Sequence, residues 1–124
     1  MKDARKRLGD EGEAFAAVFL KNKGFKILSI QHRTPFGEID LVCEHHGEIV
    51  FVEVKSRRSA QFGYPEEAVT TKKFQNMLGS AHHCITEKGW VDRPWRMDVI
   101  AIEFNQTPPK ITHIEGIDAP QNPW

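Results

Sequence analysis

The chain has 124 residues, room for one domain around one hydrophobic core. Seventeen basic side chains balance seventeen acidic ones, which argues against a protein that coats nucleic acid by bulk electrostatics, although a site with a local basic rim is not excluded. No apolar segment follows the charged Met1–Arg7 start, and the longest apolar run, Ile49 to Val54, is broken by Glu53; the expectation is a cytoplasmic protein with neither a secretory signal nor a membrane span.

From about Asp3 to Lys23 the pattern predicts a helix stopped by Gly24. Leu8, Phe15, Val18 and Phe19 share one face, while Glu13 lies roughly opposite with Ala16, Ala17 and Leu20, which suggests a helix that packs on both sides. Lys26 to Gln31 reads as a strand, with Arg33 to Gly37 as the turn after it. Two strands follow, Glu38 to Glu44 and Glu48 to Lys55, separated only by His45-His46-Gly47, which is a hairpin. Pro65-Glu66-Glu67 opens a helical region whose apolar face is Phe74, Met77, Leu78, Ala81, Cys84 and Ile85, ending at Gly89. Arg96 to Phe104 alternates as a strand, and Lys110 to Glu115 is a further one. The order α-β-β-β-α-β, with that extra strand, predicts an α/β domain over residues 1–117, a mixed central sheet flanked by helices, and a short tail at 118–124. Cys43 and Cys84 lack a pairing framework and read as free buried thiols.

The hairpin register makes the charges informative. With His46-Gly47 as a two-residue turn, both residues take positive φ and His45 faces Glu48. Counting outward, Val42 faces Phe51, Asp40 faces Glu53 and Glu38 faces Lys55. The other side then carries Ile39, Leu41 and Cys43 against Val50, Val52 and Val54, all core. Two opposed carboxylates repel, so a fold retains them where something positive intervenes: a hard divalent cation, a shared proton or a lysine. Spacing alone fits equally well a solvated salt-bridge cluster at a strand end.

Gly37-Glu38-Ile39-Asp40-Leu41-Val42, then Val50-Phe51-Val52-Glu53-Val54-Lys55 and Arg57, closely resemble the YraN-like family of small bacterial proteins. The resemblance extends to Gly12-Glu13, Gly24-Phe25, Pro65, Ala68-Val69, Lys72 or Lys73, Ala81 and Arg96-Met97-Asp98-Val99. It implies the restriction-endonuclease-like, PD-(D/E)xK core, similar to that of archaeal Holliday-junction resolvases. Asp40 then matches the strand aspartate of the pattern, Glu53 and Lys55 its second half, and Glu13 the helix acid, with Ile39 standing where some members have proline. The catalytic set implied is Glu13, Asp40, Glu53 and Lys55. Mg²⁺ or Mn²⁺ would be held by Asp40, Glu53 and the main-chain carbonyl of Val54, with Glu13 as a further ligand. Lys55, flanked by acids, is expected to stay protonated and act as an electrostatic stabiliser.

The implied activity is metal-dependent phosphodiester hydrolysis, with nucleic acid, DNA foremost, as partner. Arg33, Arg57, Arg58, Lys72 and Lys73 are the candidate nucleic-acid contacts. The rival is a non-catalytic nucleic-acid-binding module that keeps the fold and recruits a partner. A homodimer is an option raised by the resolvase resemblance, with no self-complementary patch legible to decide it. Phe62 and Tyr64 are candidates for base stacking, whereas Trp90, Trp95 and Trp124 read first as packing residues. His45 and His46 read as turn residues, and the adjacent His82 and His83 point apart on a helix, which disfavours zinc. Arg96 and Asp98 share a strand face and read as a structural ion pair.

Overall fold

The computed structural model describes residues 4–58 and 70–117. In chain order the elements are α1 (Ala4–Asn22), β1 (Lys26–Thr34), β2 (Gly37–His45), β3 (Glu48–Arg57), α2 (Thr71–Lys88), β4 (Trp95–Glu103) and β5 (Lys110–Ile114). The five strands form one sheet in sequence order, antiparallel except for the parallel pair β3 and β4. A parallel neighbour requires a crossover, and α2 lies within the segment that makes it. The predicted mixed sheet with two helices is therefore the fold observed, with β5 as its extra edge strand.

Two apolar layers sandwich the sheet. Phe74, Ala81, Cys84 and Ile85 of α2 pack with Val42, Ile49, Phe51, Met97 and Val99. On the opposite face Ala16 and Leu20 of α1 pack with Leu41, Cys43, Val50, Val52, Ile100 and Ile102. Both cysteines are free and buried, as expected. Each fully buried branched or aromatic side chain contributes about 1.5–3 kcal/mol, so these layers set the positions of both helices.

Of the two faces of α1 expected to pack, the small-residue one is the more deeply buried. Ala16 and Leu20 are completely buried, whereas Phe15 and Val18 are 42% and 59% exposed. The helix docks through its small residues: a Cβ on Gly12 would lie 1.7 Å from Ser56 Oγ on β3. Close backbone approach selects Gly12 and Ala16 for the interface, while Phe19 packs at the edge of the core and Phe15 meets Phe104 edge-on. Glu13 thus belongs to the docking side of α1.

β1 is longer than its pattern suggests. It continues through Thr34, pairing Arg33 with Glu38 and Thr34 with Gly37, so the turn shrinks to Pro35-Phe36. Helix α2 begins at Thr71, with the Thr70 hydroxyl accepting from Lys73 N–H at 3.2 Å, and ends on Gly89 in the left-handed region (φ 71°). The Pro65-Glu66-Glu67 opening, Phe62, Tyr64, Ala68-Val69, Trp124 and the 118–124 tail lie outside the described residues. No described helix is long and apolar enough to cross a membrane.

Candidate functional site

The β2–β3 turn is the one the register requires. His46 and Gly47 have φ of 51° and 79°, and His45 pairs with Glu48, Glu44 with Ile49, and Val42 with Phe51. The ladder stops at Leu41 and Val52. In a regular continuation the Val54 N–H would bond the Ile39 carbonyl; instead it donates to Asp40 Oδ2 at 2.8 Å. The strands separate around an aspartate that has taken over a backbone hydrogen bond.

β1 is irregular at the same level. Gln31, between the pairs Ile30–Leu41 and His32–Ile39, has φ 51°. Its amide donates to Glu13 Oε1 at 3.0 Å. Beyond this point Ile39 packs on the α2 side, in the layer of Val42 and Phe51, rather than with Leu41 and Cys43 as alternation predicts. Glu38 likewise pairs with Arg33 (3.4 Å) instead of facing Lys55.

The opening gathers the acids. Glu53 is buried, and its Oε2 lies 2.7 Å from Lys73 Nζ of α2. Burial first, then the Glu53 charge, pushes the Asp40 carboxyl up to about 8. Glu13 is also raised, by burial first and, more weakly, by Asp10, Glu38 and Glu53, while its bond to Gln31 opposes the shift. Glu13, Asp40 and Glu53 therefore occupy one electrostatic site, as the sequence suggested.

Lys55 and Lys73 shift in opposite directions. Burial lowers the Lys55 ammonium, the adjacent Lys73 lowers it further, and Glu53 and Asp40 only partly compensate. Lys73 is raised: burial opposes the shift, but Glu53, through charge and hydrogen bond, outweighs it. The lysine held firmly charged by the acids is thus Lys73, and sequence reasoning had ranked it only among rim contacts.

A cavity of about 460 Å³ opens onto the acids, lined by Phe36, Glu38, Asp40 and Glu53 on the sheet side and by Thr70, Lys72, Lys73, Asn76, Met77 and Ser80 of the α2 segment. Among the other candidate contacts, Arg33 is engaged with Glu38, and Arg58 lies 3.6 Å from Glu11 of α1. Arg57 ends β3, its carbonyl accepting from Phe104 N–H. Of the five basic candidates, only Lys72 and Lys73 line this cavity.

The donor chemistry suits a hard cation. Asp40 and Glu53 offer carboxylate oxygens, the ligand type Mg²⁺ and Mn²⁺ prefer. Val54 follows Glu53 in β3, and its N–H already ties it to Asp40. A second group, Asp98, His113 and Glu115, brings its ligand atoms within 4.8 Å of one another. Arg96 lies among them, bonding both Asp98 oxygens and Glu115. His113 and the Gly116 N–H complete the Asp98 shell, so this cluster is a saturated structural network. The Arg96–Asp98 pair is the expected one; the His113 and Glu115 contacts were not foreseen. His82 packs edge-on against Trp95, and Trp95 against Phe51, which are packing roles.

A mixed five-stranded sheet between two helices, carrying the buried Glu53 beside the half-buried Asp40 where β2 and β3 part, defines the structural class. The chain belongs to the uncharacterised protein family UPF0102, whose model matches residues 12–102. It is 42% identical over 111 residues to a UPF0102 protein of Anaeromyxobacter dehalogenans (strain 2CP-C), covering 90% of this chain and 83% of that one. A UPF0102 protein of Syntrophomonas wolfei is 44% identical over 109 residues, covering 88% and 95% respectively. The similarity to UPF0102 protein CD630_12710 of Clostridioides difficile (strain 630) is 41% over 109 residues, covering 88% and 94%.

Proposed function

We propose that the chain is a metal-dependent nuclease of the restriction-endonuclease-like, PD-(D/E)xK type, hydrolysing phosphodiester bonds in nucleic acid. The observation that carries this reading is the crowding of Asp40 and Glu53 at the gap in the β2–β3 ladder, on a cavity rimmed by Lys72 and Lys73. Two crowded, largely buried carboxylates are costly unless a cation or proton relieves them. Asp40, Glu53 and the Val54 carbonyl are the residues to hold Mg²⁺ or Mn²⁺, with Glu13 as a further ligand or an orienting acid.

When bound, such an ion supplies Lewis-acid polarisation of a phosphate oxygen and a more acidic coordinated water. The Val54 N–H fixes the Asp40 carboxylate, and Gln31 fixes Glu13. Lys73 and Lys72 bring positive charge to the phosphate side of the cleft. Lys55, two residues from Glu53 on β3, is assigned the role of electrostatic stabiliser and water-positioning group.

Calorimetric titration of Mg²⁺ and Mn²⁺ into wild type and Asp40→Asn, with cleavage of a four-way junction and of single-stranded DNA, tests this. Metal uptake by wild type alone, with metal-dependent cleavage, is expected. Absence of uptake even with nucleic acid present would sink the catalytic reading.

The Lys73–Glu53 ion pair favours a second reading, a non-catalytic nucleic-acid-binding module, because a lysine already neutralises one acid. Binding would then survive Asp40→Ala and Glu53→Ala and would need no metal.

A further inference from the structure

Phe36 combines two properties that rarely coincide: it is 54% exposed, yet it is fastened in place. It occupies the two-residue turn between β1 and β2. Its N–H donates to Thr34 Oγ1 at 3.1 Å, Thr34 Oγ1 donates to the Gly37 carbonyl at 2.9 Å, and Ser80 Oγ of α2 lies 2.8 Å from the same hydroxyl. The turn is thereby tied to the helix. The ring rests directly on α2 as well, since a Cβ on Gly79 would come within 2.9 Å of Phe36 Cγ. One side of the ring is immobilised and the remainder faces solvent.

Phe15 and Val18 are also exposed, and scattered apolar residues of that kind need no functional explanation. Phe36 differs because it lines the same cavity as Asp40, Glu53, Lys72 and Lys73. At about 460 Å³ this cleft falls within the range of sites that take a single small ligand, and it is too small for a base pair with both its backbones. An exposed aromatic whose ordering cost is already met by the fold is the platform on which an unpaired base stacks, and two lysines beside it suit the attached phosphate. Asn76, on the helix wall, offers both a donor and an acceptor to a base edge.

We propose that this cleft is a subsite for one unpaired nucleotide, its base stacked on Phe36 and its phosphate directed toward Lys72, Lys73 and the acids. The substrate class is single-stranded or locally unpaired nucleic acid, an assignment that rests on the nucleic-acid reading above and narrows it.

The test measures binding without turnover. Fluorescence anisotropy in EDTA compares a labelled single-stranded oligothymidylate with its fully paired duplex form. Phe36→Ala and Phe36→Leu are each expected to weaken single-strand binding roughly tenfold while duplex binding changes less than about twofold, and Phe36→Tyr should retain wild-type affinity. The leucine variant keeps an apolar contact with Gly79, so a loss seen there reports stacking and not unfolding. Unchanged single-strand affinity in both variants, or equal losses on both probes, overturns the subsite. If wild type nevertheless binds and cleaves in an Asp40-dependent manner, the nuclease reading stands without it. Failure of wild type to bind the single strand in EDTA overturns the subsite, while metal-dependent cleavage decides the nuclease reading separately.

Discussion

Lys73 Nζ lies 2.7 Å from Glu53 Oε2, so the counter-charge demanded by the acids comes from the first turn of α2 and not from Lys55 on their own hairpin. Glu53 is nearly fully buried while the Lys73 side chain is 36% exposed. Removing the lysine leaves a buried carboxylate unpaired, which costs about 2 kcal/mol when one partner retains access to solvent. Lys73→Met is therefore expected to lower the urea midpoint in EDTA, and Mg²⁺ to restore more stability to the variant than to wild type. Denaturation curves with and without Mg²⁺ measure both; equal Mg²⁺ effects in the two proteins would count against a cation site shared with Lys73.

Asp40→Asn separates the structural and electrostatic roles of Asp40. An asparagine carbonyl oxygen can still accept from the Val54 N–H, the bond that replaces the ladder at this point. The crowding with Glu53, one of the main causes that raise Asp40, disappears. The variant is expected to be about 1 kcal/mol more stable than wild type in metal-free buffer near neutral pH, and to take up no Mg²⁺ by calorimetry. A less stable variant would show that the carboxylate is needed for folding itself.

The parts that were legible follow from period-two patterning. The His46-Gly47 turn and the pairing out to Leu41 and Val52 could be counted from one apolar face and a two-residue loop. Counting failed beyond Asp40 because that side chain captures a backbone N–H, and Gln31 in the neighbouring strand takes a positive φ; neither event has a pattern signal. Asp40 and Glu53 were brought together by the register count and Glu13 was added through family resemblance, and the three share a field. The ion pair of Lys73 with Glu53 was not legible because it depends on how α2 docks, a tertiary fact. Phe36 was assigned to a turn without a role, since its ring position is set by Gly79 and Ser80 on a distant helix. Which of the two apolar faces of α1 dominates was not legible, because bulk, which periodicity weighs, is what a close contact at Gly12 excludes.

The Asp98 network gives a pH-dependent stability. Burial alone would raise this carboxyl, but hydrogen bonds from His113, Arg96 and the Gly116 N–H outweigh it and hold Asp98 below its ordinary value. Glu48 and Glu115 also bind Arg96, and Lys23 contacts His113 on its other nitrogen. Since the folded value lies below the unfolded one, the contribution is fully present above pH of about 4 and is lost as pH falls through the folded value. Asp98→Asn is expected to be less stable at neutral pH, with a shallower decline below pH of about 4. Urea midpoints across that range check it; parallel acid limbs in the two proteins would refute the assignment.

Gly12 and Ser56 supply a test of how α1 is seated. An added Cβ at Gly12 would meet Ser56 Oγ at 1.7 Å and Ser56 Cβ at 3.1 Å. The first contact is impossible without movement, and the second needs only a small adjustment. Gly12→Ala should cost about 1–3 kcal/mol as α1 is forced off β3. The displacement carries Glu13 away from Gln31, so metal uptake or cleavage supported by Glu13 should fall with stability. Ser56→Ala removes the buried hydroxyl, which has no hydrogen-bond partner among the described residues, and should by itself be near neutral. Combined with Gly12→Ala it should restore most of the lost stability, giving a coupling of about 1 kcal/mol or more in a double-mutant cycle. Strictly additive effects would mean that the helix yields elsewhere and that its seat on β3 is not set by this contact.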